Sequence, residues 1–199
     1  MNKAKVNEVF TPRRANVNQA MYIERPQHER DLKRAIAGSL HPILCGESGS
    51  GKSWLYKHVA QVEGWKLFYA NAANAARYNS LATVIALAVR DDDEREVVEF
   101  SQELGAEAKV LGFGGSGKAG RKYEVKKRET LLQAFKAARA KAGKNAAIVA
   151  VDNLEAIFSK PPLMEELGNI ILLLDDPEYA THEIRLLIVG VPSDIIEYY

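Results

Sequence analysis

Three glycines, at 46, 49 and 51, precede a lysine and a serine in Gly46-Glu47-Ser48-Gly49-Ser50-Gly51-Lys52-Ser53, a complete GxxxxGK[ST] pattern. Glycine lets the backbone curl until successive N–H groups converge on an anion, and a helix beginning at Lys52 adds its positive end. The Lys52 ammonium is a point charge suited to β- and γ-phosphate oxygens, the Ser53 hydroxyl is a hard oxygen ligand for Mg²⁺, and the Trp54 N–H is placed to reach an α-phosphate. The Trp54 ring has two readings, near a bound base or in the core. Asp152 closes the apolar run Ala146 to Val151, where a carboxylate either holds the same Mg²⁺ or caps a turn. Asn153 follows it, and Glu155 stands two residues further on.

Such chemistry needs a strand to deliver the loop and a helix to receive it. Pro42 to Cys45 is a short apolar run, read as a buried strand with Cys45 inert inside it. Lys52 to Glu63 follows as a helix with Leu55, Val59 and Val62 on one face. Trp65 to Ala70, Ala146 to Val151 and Ile184 to Val191 read as further strands, the wholly apolar ones being covered on both sides. Helices are expected over Gln27–Ala37, from a Ser80 cap through Val89, over Asp91–Leu104, over Glu129–Lys141 and over Leu163–Leu174. Pro26 suits the first turn of the earliest helix and Gly38 its end. This alternation implies an α/β fold, a three-layer αβα sandwich with a mostly parallel sheet. Residues 1–21 read as an N-terminal arm and 22–199 as one domain.

Composition narrows the class. The 199 residues are 47% hydrophobic and 27% charged, which excludes wholesale disorder. Basic residues number 27 and acidic ones 26, so net charge gives no bulk pull toward nucleic acid or membrane. One cysteine excludes an internal disulfide, and the four histidines show no metal-ligand spacing. Neither a signal peptide nor an apolar run of ~18 residues occurs. A cytoplasmic setting without a membrane partner is expected.

The loop and the strand-end aspartate together resemble the P-loop NTPases of the AAA+ superfamily, over most of the chain. Met21 to Ile36 (MYIERPQHERDLKRAI) is similar to the segment before the first strand in origin-recognition-type and STAND-type ATPases. Ser193 falls where that family places a polar sensor of the γ-phosphate or attacking water. The resemblance makes Gly46–Ser53 a Walker A loop and implies ATP and Mg²⁺ as cofactors. It further implies ATP hydrolysis, and a protein partner or homo-oligomer whose assembly or remodelling the nucleotide drives.

The sequence departs from that pattern in three ways. Asn153 stands where these ATPases usually carry the glutamate that polarises water, and a carboxamide cannot accept the proton. Glu155 is the nearest carboxylate, read either as a substitute base or as a helix-start acid. Second, no Arg or Lys follows Arg185, and the family's fifth strand and helical lid are not found before Tyr199. The expectation is an AAA+-like core without its C-terminal lid, the N-terminal part of a longer protein, with Pro42–Cys45 at an open sheet edge. Third, residues 91–141 look like a family-specific insertion. Within it Gly112 to Ala119 nearly repeats the loop pattern, but the following stretch looks extended, so it reads as a decoy in a hairpin over 106–128. The hairpin's Lys118, Arg121, Lys122, Lys126, Lys127 and Arg128 read first as a solvated face offsetting Asp91–Glu94, and second as a contact for nucleic acid. Two other activities stay open: a non-hydrolysing scaffold or switch, and a small-molecule kinase for which no substrate base is found.

Overall fold

A computed structural model describes residues 17–19, 21–38, 41–90 and 116–191, and of 116–128 only the backbone. The elements run α1 (Pro26–Ala37), β1 (Ile43–Cys45), α2 (Lys52–Glu63), β2 (Lys66–Asn71), α3 (Ala75–Tyr78) and α4 (Leu81–Val89). Then follow α5 (Ser116–Ala142), β3 (Ala147–Asp152), α6 (Pro161–Leu174), α7 (Pro177–Ala180) and β4 (Ile184–Gly190). Single 3-10 turns at Ala72–Asn74 and Leu154–Ile157 follow β2 and β3.

The four strands make one all-parallel sheet in the order β1-β4-β3-β2. Side chains alternate across a strand, so neighbouring residues of β3 and β4 enter different cores. Ala147, Val149, Val151, Leu186 and Ile188 pack against the buried faces of α4, α5 and α6. Ile148, Ala150, Leu187 and Val189 pack instead with Leu32 and Ile36 of α1 and Leu55, Tyr56 and Val59 of α2. Helices therefore cover both faces, the expected α/β sandwich. Asp152 shares the parity of Ile148 and Ala150, so the pleat aims its carboxylate toward α2.

Local signals set several boundaries. Pro26 opens α1, and Gly38 closes it with its N–H on the Arg34 and Ala35 carbonyls. The Ser80 hydroxyl accepts the Thr83 N–H at the start of α4 and donates to Glu166 of α6, which also takes the Leu81 N–H.

Four expectations are corrected. Residues 121–125, in the second half of the expected hairpin, lie inside α5, one helix of 27 residues. Lys118 to Arg128 are thus on a helix and not on a hairpin, and the stretch after the second glycine-lysine pattern is helical. The error arose because Glu129–Lys141 carries the apolar stripe, whereas the basic half has none. Val62 is 58% exposed, and the buried face of α2 runs through Leu55, Tyr56, Val59 and Ala60. Cys45 is exposed and Ile43 is 62% exposed. Among the described residues β1 has a neighbour on one side only, as an edge strand would, so alternate residues stay uncovered. The expected helix Asp91–Leu104, the first strand of the hairpin and the site at Ser193 lie outside the described residues.

Candidate functional site

The loop between β1 and α2 turns tightly, with the Ser50 N–H on the Glu47 carbonyl at 3.1 Å. Gly49 and Gly51 sit at φ +78° and +82°, a left-handed region that strains any residue with a Cβ. At Gly51 a Cβ would also stand 2.5 Å from Nη2 of Arg25. Among the described residues no side chain caps the start of α2, and its first turn carries no acid. A helix N-terminus without a capping side chain offers N–H groups and positive potential to an anion. The Lys52 ammonium folds back over the loop, donating to the carbonyls of Gly46 (2.7 Å) and Glu47 (2.9 Å). Both bonds are to neutral oxygens, so a phosphate is a stronger acceptor for the same group.

Asp152 lies across from the loop and is one of the few buried polar residues described, at 5% exposure. Its Oδ2 accepts from the Ser53 hydroxyl at 2.8 Å and from the Tyr56 hydroxyl at 2.9 Å, and its Oδ1 accepts the Asn153 N–H at 2.8 Å. Burial, then the charge of Asp152 and the bond to it, push the Tyr56 phenol far above the ordinary tyrosine range. Tyr56 is thus a neutral proton donor at any working pH. Asn153 adopts a left-handed conformation at φ +60°. Its carboxamide donates to Asn71 Oδ1 at 2.9 Å, across the register pair Asn71–Asp152. Burial also raises the Tyr69 phenol, with the Asp152 charge second.

These groups share one cleft of about 420 Å³, within the usual range for a small-molecule site. Lys52, Ser53, Asp152, Asn153 and Glu155 all line it, joined by Trp54 on the loop side. Trp54 is half-buried and stands on the wall of this cleft. The Ser53 hydroxyl and the Asp152 carboxylate are hard oxygen donors, which fits Mg²⁺. A larger groove, about 580 Å³, opens among α4, α5 and α6, but it holds none of these residues.

A family model described as "AAA domain" matches residues 34–198. The chain belongs to this family. It is an AAA-type P-loop module, and nucleotide binding is the general property of that class. A search of curated proteins gave no match. No helix of the AAA module, among the described residues, is long and apolar enough to cross a membrane.

Three residues around the site escaped the sequence reading. Arg25, in the segment before α1, donates from Nη1 to the Ser50 carbonyl at 2.7 Å and so grips the loop from outside. It is itself anchored: its N–H bonds to Glu29, which also accepts the Tyr22 hydroxyl, and Tyr22 stacks on His58 of α2 at 3.8 Å. The Arg25 N–H, more than the Tyr22 hydroxyl, holds Glu29 below the ordinary glutamate range, while burial and Glu29 push Tyr22 up to about 12. Tyr56 could have been found at three residues beyond Ser53, on the same helix face. Asn71 could have been found only once β2 and β3 were paired in register.

Proposed function

We propose that this module binds Mg·ATP in the 46–53 loop and couples binding, or slow hydrolysis, to assembly or remodelling of a protein partner or of its own oligomer. The observation that carries the reading is the 2.8 Å bond between Ser53 and Asp152, residues 99 positions apart, beside an uncapped helix start and Lys52. The backbone from Gly46 to Trp54 receives the phosphates. Lys52 releases its two carbonyl acceptors and takes up the β- and γ-oxygens. Ser53 and Asp152 hold Mg²⁺, which when bound neutralises charge between those oxygens. Ser193 is the sensor of the terminal phosphate in this reading.

Hydrolysis requires a group that orients or deprotonates water. Asn153, tied to Asn71, orients it but accepts no proton. Glu155, on the cleft wall, is the carboxylate proposed to do so. The Asn71–Asn153 bond favours a second reading, a switch that holds nucleotide and seldom hydrolyses it. Steady-state turnover of Mg·ATP by the purified chain, with Lys52→Ala as the blank, separates the two. Slow turnover lowered by Glu155→Gln at unchanged affinity supports the ATPase. Tight binding with turnover equal to the blank supports the switch. Failure of the wild type to bind ATP contradicts both.

A further inference from the structure

We infer that Tyr56 is a positioning residue of the Mg²⁺ site, acting through Asp152. The inference rests on the nucleotide reading above and adds to it a residue outside the glycine loop. Ser53 and Tyr56 are three positions apart on α2, so both hydroxyls leave one helix face. They converge on the same oxygen, Asp152 Oδ2, at 2.8 and 2.9 Å, while Oδ1 takes the Asn153 N–H. A carboxylate offers about four acceptor sites, and three donors occupy this one. Rotation of the carboxylate out of this position would cost Ser53 and Tyr56 their acceptor together. With its proton committed to Oδ2, the Ser53 hydroxyl turns its lone pairs outward to the cleft. Tyr56 is 1% exposed among Leu32, Ile36, Leu55 and Leu187, so the ring is fixed by packing and the hydroxyl by the carboxylate. A phenylalanine would fill the same space, leaving the hydroxyl as the only group removed.

The test measures binding of a fluorescent ATP analogue during Mg²⁺ titration, and again in excess EDTA. Tyr56→Phe is expected to raise the Mg²⁺ concentration at half-saturation about tenfold, the loss of one charge-assisted bond. Metal-free affinity should stay within about twofold of wild type, which a general packing defect would not allow. In an Asp152→Asn background the same substitution should add nothing, because its route to the metal is gone. An unchanged Mg²⁺ requirement overturns the inference, as do equal losses with and without Mg²⁺, full additivity with Asp152→Asn, or a variant without cooperative melting. A wild type that binds no analogue overturns the nucleotide reading itself. A wild type that binds while Tyr56→Phe matches it overturns this inference alone.

Discussion

The two faces of the sheet are made from alternate residues of the same strands, yet they differ in kind. Toward α4, α5 and α6, β3 presents Ala147, Val149 and Val151, and that side is an apolar cluster anchored by Phe135 and Leu186. Toward α1 and α2 it presents Ile148, Ala150 and then Asp152, whose carboxylate meets Ser53 and Tyr56. Both faces bury apolar area, the first in the larger cluster of described residues. The other ends, at the C-terminal edge of the sheet, in polar groups whose direction is fixed by the pleat. Ligands of open parallel sheets bind at that edge, so the placement follows a general rule of α/β folds.

The comparison predicts separable effects, the largest on the apolar face. Phe135 is fully buried and meets Tyr179 edge-on at 6.0 Å. Phe135→Ala should cost about 3–5 kcal/mol, seen as a lower urea midpoint at unchanged slope. ATP affinity of the folded fraction should not change; a parallel loss of affinity would break the division between faces.

Arg25→Ala acts on the other side. It removes one hydrogen bond to the loop carbonyl of Ser50, so ATP binding should weaken severalfold, about 1 kcal/mol, with little change in melting. A large stability loss with intact affinity would make Arg25 a fold anchor and not a loop clamp.

The smallest effect concerns His41, whose Nδ1 accepts the Leu186 N–H at 3.2 Å where the chain enters β1. Burial holds this imidazole below the usual histidine range; Arg185 lowers it further and Asp175 opposes. As pH falls below about 6.5 the unfolded chain takes up the proton first. Stability present above that value is therefore lost as pH falls toward the lowered folded-state value. Melting of wild type should drop more between pH 7 and pH 5 than melting of His41→Gln. Parallel curves would remove His41 from the account.

Much of this arrangement was legible because it is local. The glycine pattern, the apolar strands and the Pro26, Gly38 and Ser80 boundaries each depend on a few adjacent residues, and all four described strands were expected within a residue or two. What was illegible depends on pairing. The exposure of Cys45 follows from β1 having, among the described residues, a strand on one side only, and the Asn71–Asn153 bond follows from register. Arg25 reaches the loop across a tertiary contact. The helical start of α5 was missed for a different reason: a basic, glycine-containing stretch gives no apolar periodicity, and the helix it belongs to is set by the packed half beyond Glu129.

The central claim is that the loop before α2 holds the phosphates of Mg·ATP through Lys52. Calorimetric titration of the wild-type chain and of Lys52→Ala with Mg·ATP tests it directly. Losing one charge-assisted contact is worth about 1.5–3 kcal/mol, so the account predicts saturable binding by the wild type and at least about tenfold weaker binding by the variant. Equal affinities, or no binding by a folded wild type, would contradict it.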